Sequence, residues 1–364
     1  MSINQTLLQG VNEQGMQAVI NTFDLKPFYF PTLFPLKKNN TLSWKALEAT
    51  TGLKVAADVV SRNATIDRKK REGFGKISGE IPKLAISREM SESELYEYQI
   101  AVAMAQGNSD LQALVDIWAN DMDFCWTGVS AKIEALALES ISRGKVSLTQ
   151  ENNQNVVTEF DVDYQIDAER KSGVGVKWAT SATAKPVADL LDRIKYAKSK
   201  GINPKFAFMN LDTFAKMAET EDVIKRSASF ASVALNISQT PDLNLVNQML
   251  AKQARLNGLQ IVIIDQDITY EVDGKRVTKN PFADNSVMLS ESKVLGQTQW
   301  MTPIDMTLKG SAANKVMNGL ICLKKFSTEE PVVEVTQGIA NAFPAWASSN
   351  RSLLMDVDNA NFTL

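Results

Sequence analysis

The spacing of apolar and polar positions along this chain changes several times, and each change predicts a different kind of element. From residue 109 to 143, Leu111, Leu114, Val115, Trp118, Met122, Cys125, Val129, Ile133, Leu136 and Ile141 recur at three- and four-residue steps. That spacing predicts one continuous helix. Ser109 and Gln112 fit a capping box at its start, and Gly144 suits the position just past its end. At 1.5 Å per residue the helix would run roughly 50 Å, the length of a spine. Gly128 in its middle and the absence of charged e and g positions argue against a coiled-coil strand. A shorter helix precedes it in SESELYEYQIAVAMAQG (91–107), which opens with cap residues and acidic first-turn residues and is broken at Gly107-Asn108.

Past residue 150 the pattern alternates between strand and helix. VVTEFDVDYQI (156–166) alternates like a strand, and VGVKWAT (174–180) is a short β-like run. Pro186 opens a helix whose Val187, Leu190, Leu191 and Ile194 share one face and which ends at Gly201. FAFMN (206–210) predicts a strand followed at once by the helix LDTFAKMAET. LNLVNQMLAKQARLNG (243–258) predicts another amphipathic helix, and LQIVIID (259–265) a buried strand. ITYEVDGKRVTK (268–279) reads as a hairpin turning at Asp273-Gly274. In PFADNSVMLSESKVLG (281–296) a Pro/Asp-Asn turn precedes a strand at SVMLS, and Gly296 is expected to let the chain turn out of the sheet. Helices alternating with strands over 180–300 predict an α/β unit around a mixed sheet. GLICLKKF (319–326), PVVEVTQGI (331–339) and SLLMDVD (352–358) predict closing strands that return to pack under the long helix.

The front of the chain lacks such order. Residues 1–40 show little periodicity, and KPFYFPTLFP (26–35) is too rich in Pro and aromatics for a regular helix. It reads as an arm that lies on something, either its own domain or another copy, with Phe28 and Phe30 as candidate inter-subunit contacts. KVAADVVS (54–61) suggests a strand, and residues 61–84 mix charge, glycine and short β-like pieces. Together they predict a long hairpin with a basic tip at Arg68, Lys69, Lys70 and Arg71. A run of four charges is commonly a solvated turn. The sharper reading makes it a contact with an acidic patch on a neighbouring subunit.

Composition narrows the function. The chain has 364 residues, 44% hydrophobic and 22% charged, as in an ordinary globular protein of two or three domains. No apolar run reaches the length needed to span a membrane, and the first residues lack the basic-then-apolar order of a secretion signal. Cys125 and Cys322 lie in apolar surroundings and read as buried free thiols of a reducing compartment. A net charge of −3 argues against a strong nucleic-acid binder. The chain contains no histidine. That removes Ser-His-Asp and Cys-His catalysis, histidine-ligated metals and histidine proton shuttles together.

Few parts remain for other chemistry. Gly173-Val-Gly175 lacks the third glycine of a dinucleotide loop and opens no helix. Asp161/Asp163 and Asp265/Asp267 each place two carboxylates on one strand face, a possible divalent-metal pair, though such residues at strand ends more often shape turns. Ser87-Arg88-Glu89 and Lys185 have no partner set, and no phosphate loop, nucleophile elbow or Cys-x-x-Cys is present. What is left is architecture. An arm and an extended hairpin bury little of their own surface and make sense when neighbouring copies supply the contacts. The pattern points to a self-assembling structural protein.

Three stretches carry a family resemblance. PVADLLDRIKYAKSKGINPKFAFMNLDTFAKM (186–217), NGLQIVIIDQDITYEVDGKRVTKNPFADNSVMLSESKVLGQTQW (257–300) and EEPVVEVTQGIANAFPAW (329–346) resemble, in order, segments of the tailed-phage major capsid protein E family, the lambda-like branch of the Hong Kong 97-type fold. Gln299-Trp300-Met301 stands where the family has an aromatic-glycine step after Leu295-Gly296, and Ala342-Phe343-Pro344 where it tends to a Pro-Leu step. The resemblance implies an α+β capsid fold. Residues 1–40 would be an N-terminal arm, 41–90 an E-loop overlapping the adjacent subunit, and 91–179 a P-domain with spine helix 109–143. Residues 180–310 would be an α/β A-domain, and 311–364 the strands returning to the P-domain. It further implies hexamers and pentamers closing into an icosahedral head around double-stranded DNA. Scaffolding protein and portal would be partners, with a decoration protein as a further candidate, no cofactor, and assembly in the host bacterial cytoplasm. Two other readings compete: an encapsulin-like compartment shell, and a histidine-free metal-dependent α/β enzyme using the Asp pairs.

Overall fold

The structure is a computed structural model and describes residues 4–8, 11–49, 74–105, 107–148, 153, 161–231, 240–272 and 274–364. The chain opens with α1 (Glu13–Ile20), capped by the Asn12 side chain, and a single helical turn, α2 (Phe30–Leu33), admitted by Pro31 in its first turn. Short strand β1 (Leu36–Lys38) is followed by a long antiparallel ladder of β2 (Ser43–Ala49) and β3 (Phe74–Glu80). Strand β4 (Lys83–Met90) leads into α3 (Glu92–Met104), which starts with a capping box between Ser91 and Glu94. Then comes the spine, α4 (Asn108–Arg143), 36 residues long and ended by Gly144 at φ 74. Its first half alternates exposed and buried faces. From Ile133 to Ser142 nearly every side chain is buried, as expected of a helix enclosed on all sides.

The small ladder β5 (Lys145–Ser147) and β6 (Asp161–Asp163) precedes β7 (Lys171–Ser172). Next come α5 (Pro186–Ser199), β8 (Phe206–Asn210), α6 (Leu211–Ala218), α7 (Glu221–Ala231) and α8 (Leu243–Lys252). The remaining strands are β9 (Gln260–Ile264), β10 (Ile268–Val272), β11 (Lys275–Lys279), β12 (Ser286–Ser290), β13 (Gly296–Met301), β14 (Asn314–Asn318), β15 (Ile321–Glu329), β16 (Val332–Trp346) and β17 (Leu353–Asp356).

Among the described residues the strands make two main sheets, each with its own core. The first has the order β1-β13-β16-β15-β14, with β4 also paired to β16. The 15-residue β16 is its backbone: β15 lies along one edge, and β4 and then β13 along the other. The spine crosses this sheet, and Gly338 allows the close approach, since a Cβ there would sit 2.7 Å from the Cys125 carbonyl oxygen. The second sheet has the order β7-β17-β12-β8-β9, with β8 and β9 parallel. Helices α5, α6 and α8 bury Val187, Leu190, Ile194, Met217, Val246 and Leu250 in its core.

Several expectations change. Strand 353–356 does not return to the spine's sheet; it pairs with β12 in the second sheet, where all four of its residues are buried. The run 296–301 belongs instead to the first sheet, beside β16. Gly296 therefore begins a strand rather than leading out of one, and a Cβ there would overlap the Ala345 carbonyl. VGVKWAT is no strand. Its backbone bonds singly to the C-terminal segment, Val174 to Asn359 and Trp178 to Val357, and Trp178 fills the second core. Helices α1 and α7 were not legible in the periodicity. The predicted strand 54–61 and the turn residue Asp273 lie outside the described residues.

Candidate assembly surfaces

The N-terminal segment lies on its own chain, held by buried carboxylates at two places. Glu134, on the enclosed half of α4, accepts hydrogen bonds from the backbone N–H groups of Tyr29 (3.0 Å) and Phe30 (2.7 Å). These are free donors at the start of α2, where a carboxylate is favoured. Burial pushes the Glu134 carboxyl up to about 7 against that hydrogen bonding. Glu334, on β16, accepts from the Thr6 hydroxyl (2.6 Å) and the Leu7 N–H (3.0 Å), while Asn4 bridges to Ser327. Burial raises its carboxyl as well.

Phe30 is thereby fixed. It has no exposed surface and sits in the first core, so it offers nothing to a neighbouring subunit in this conformation. Phe28 is half-buried against it, with ring centroids 6.0 Å apart, and keeps an accessible edge. Arg68, Lys69, Lys70 and Arg71 lie outside the described residues. What is described is the ladder of β2 and β3 on either side of residues 50–73. There Trp44 is wholly buried and stacks on Phe343 of β16, which roots the ladder in the first sheet.

Under the spine lies a second polar group that periodicity did not reveal. Lys325 is fully buried, donates to Thr336 Oγ1 at 2.6 Å and stands 3.7 Å from Asp121 of α4. Burial lowers its pKa, while Asp121 and Glu334 oppose that shift. Asp121 also pairs with Arg88, whose guanidinium covers the Phe124 ring.

Two of the four carboxylates in the candidate metal pairs accept hydrogen bonds within the chain. Asp161 accepts from Ser147 Oγ across the β5–β6 ladder, and Asp163 accepts from the Gln165 N–H in a turn-shaping bond. Asp265 donates its own N–H to the Tyr29 hydroxyl. Among the described residues no group of three or more Cys, Asp or Glu side chains is placed to hold a metal. Gly173 is packed against the backbone of Asn359 and Ala360, not open to a phosphate. The turn at 281–286 is anchored rather than reactive. Asp284 accepts from Asn210, Asn285 (φ 61) accepts from Lys216, and the Ser286 hydroxyl donates to the Ser142 carbonyl at the end of the spine. Sequence reasoning missed Glu134, Glu334 and Lys325. For Glu134 the one signal is an acid inside the almost wholly apolar run around IEALAL.

A spine helix crossing one sheet, a second α/β unit and a rooted hairpin together define a phage capsid-type fold. Two solved structures share it over nearly their whole length. The capsid protein of an Escherichia coli CFT073 prophage aligns at TM-score 0.58 and 13% identity, covering 95% of this chain and 99% of the other. A phage-related protein of Bordetella bronchiseptica RB50 aligns at TM-score 0.54 and 11% identity, covering 95% and 97%. An encapsulin complex of Synechococcus elongatus aligns at TM-score 0.40 and 10% identity, covering 90% and 89%. No curated protein matches in sequence. The family model described as phage major capsid protein E matches residues 15–350, and the chain belongs to that family. It is a major capsid protein, a structural component of the virion that associates with its own copies. Among the described residues no helix is long and apolar enough to cross a membrane.

Proposed function

We propose that this chain is the repeating wall unit of an icosahedral phage head, arranged as hexamers and pentamers around double-stranded DNA, and that it catalyses no reaction. The observation that carries this reading is the family match along residues 15–350. In this reading the first sheet and α4 are the P-domain, and the unit built on the second sheet is the A-domain. Residues 41–90 are the E-loop, which reaches an adjacent subunit, and residues 1–40 are the arm. Scaffolding protein and portal are the partners during assembly in the host cytoplasm, with a decoration protein as a further candidate on the finished head. A mildly acidic chain suits a wall along which packaged DNA slides, because each phosphate contact would add salt-dependent affinity.

Negative-stain electron microscopy of the purified protein tests this directly. Rings or closed shells are expected, and a strictly monomeric protein under all assembly conditions would overturn it. A narrower test replaces residues 53–72 with a short Gly-Ser turn, leaving β2, β3 and Trp44 in place. That variant is expected to stay soluble and helical but to form no closed shells. Normal shells from it would remove the E-loop role.

A further inference from the structure

The hairpin of β10 and β11 stands apart from both main sheets. Among the described residues its two strands pair only with each other. All five residues of β11 are exposed, and they read Lys-Arg-Val-Thr-Lys. Among the described residues Lys275 and Lys279 have no ion-pair partner, and Arg276 meets only Glu271, at 3.4 Å with both side chains largely exposed. Strand geometry puts Lys275, Val277 and Lys279 on one face, with the two lysines roughly 14 Å apart.

The excess of positive charge continues into the spine. Lys132 of α4 lies 5.7 Å from the centroid of the Tyr270 ring, and Lys279 lies 5.4 Å from it. Glu139, half-buried on the same helix, is the carboxylate that acts on both lysines, and Arg143 acts on it as well. Three cations therefore share one carboxylate. Burial lowers the Lys132 ammonium to about 8, with Glu139 opposing that shift and Lys279 adding to it. Asp265 and Asp267 are exposed just before β10, which confines the positive surface to the ribbon and its seat on the spine.

A row of exposed cations without an apolar groove suits a phosphate backbone better than a protein. Val277, 50% exposed, is the one apolar side chain on β11, whereas a protein partner needs an apolar centre from which water is excluded. A phosphodiester chain needs only cations at intervals. We propose that the β10–β11 ribbon is where this chain touches double-stranded DNA, with Lys275, Arg276 and Lys279 on the phosphates and Lys132 behind them. The proposal rests on the capsid reading above and deepens it by naming the surface that meets the DNA. Three phosphate contacts in each copy are weak and read no sequence. Repeated over many copies, they hold DNA near the wall while each single contact exchanges.

The test reads the salt dependence of binding. Fluorescence anisotropy of a short labelled DNA duplex is followed against the purified protein at several salt concentrations. Three contacts predict a slope of log affinity against log salt of about −2.7, a roughly fortyfold loss from about 50 to 200 mM salt. Lys275→Gln is expected to reduce the slope by about one contact, and Lys275→Gln/Arg276→Gln/Lys279→Gln to leave it nearly flat, with far-ultraviolet circular dichroism unchanged. Duplexes of different sequence are expected to bind alike. A triple variant with the wild-type slope would overturn the proposal. Polyglutamate binding more tightly than a duplex of equal charge would assign the ribbon to an acidic protein and overturn it too. In electron micrographs the triple variant is expected to form the same particles as the wild type. Loss of those particles would make the ribbon a contact between copies instead of a DNA contact. Absence of particles from the wild type would strike the capsid reading, and the slopes would still decide the ribbon.

Discussion

Trp44 and Phe343 stack with ring centroids 4.8 Å apart, and through that contact a ladder at the front of the chain is rooted in a strand near its end. Trp44 is completely buried, Gly79 leaves room beneath its indole, and among the described residues the indole nitrogen has no hydrogen-bond partner. Its contribution is therefore packing. Trp44→Ala is expected to cost about 3–5 kcal/mol, and Trp44→Phe much less, since no polar bond is lost. Urea unfolding of both variants checks this; equal losses would show that the cavity is not what matters.

Gly338 sets how near the spine comes to the sheet. Any Cβ would meet the Cys125 carbonyl oxygen at 2.7 Å and its carbon at 3.1 Å, and backbone yields less readily than a side-chain tip. Gly338→Ala is expected to destabilise by about 1–3 kcal/mol through overpacking. Gly128→Ala meets only the Ile86 side chain, most closely its Cδ1 at 2.8 Å, and because that side chain can move it should be tolerated better. It should even gain helix propensity. Thermal melts that rank the two the other way would refute this account of the packing.

Glu134 makes stability depend on pH in a definite direction. Burial raises its carboxyl from the ordinary 4.5 to about 7. The folded state then holds a proton that the unfolded state has released, so this group's contribution is fully present below about pH 4.5 and is lost as pH rises through 7. The span corresponds to roughly 3 kcal/mol at 1.4 kcal/mol per pH unit. Glu134→Gln cannot titrate. The difference between wild-type and variant unfolding free energies should change between about pH 4.5 and 7 and flatten above that, as followed by denaturant titration.

Lys325 should be replaceable in one way and fragile in another. It is fully buried, with Thr336 at 2.6 Å and Asp121 at 3.7 Å. Asp121→Ala leaves a buried ammonium poorly compensated and is expected to cost about 3–5 kcal/mol. Lys325→Met fills similar volume without charge and is expected to fall within about 1 kcal/mol of wild type or above it. A large loss from Lys325→Met would mean that the ion pair itself stabilises the fold.

The sequence by itself determined the elements whose physics is local. The spine follows from a 3.6-residue repeat that runs on through Gly128, and its end from Gly144, which adopts the left-handed conformation. FAFMN and SVMLS form strands at the positions their aliphatic runs predict, because buried β-rich runs bounded by turn residues have few alternatives. Only the tertiary structure decided which sheet each strand joins. The final strand and the run after Gly296 exchange the places expected of them, because pairing depends on partners far apart in sequence and leaves no local mark. Burial of charge was equally hidden. Glu334 and Lys325 look like surface residues in any window of the chain, Glu134 is marked only by the apolar run around it, and the packing of the spine and the N-terminal segment on the sheet encloses all three. The stripe Tyr96, Ile100, Met104 is the converse. Its composition is that of a core, yet it stays exposed to solvent among the described residues.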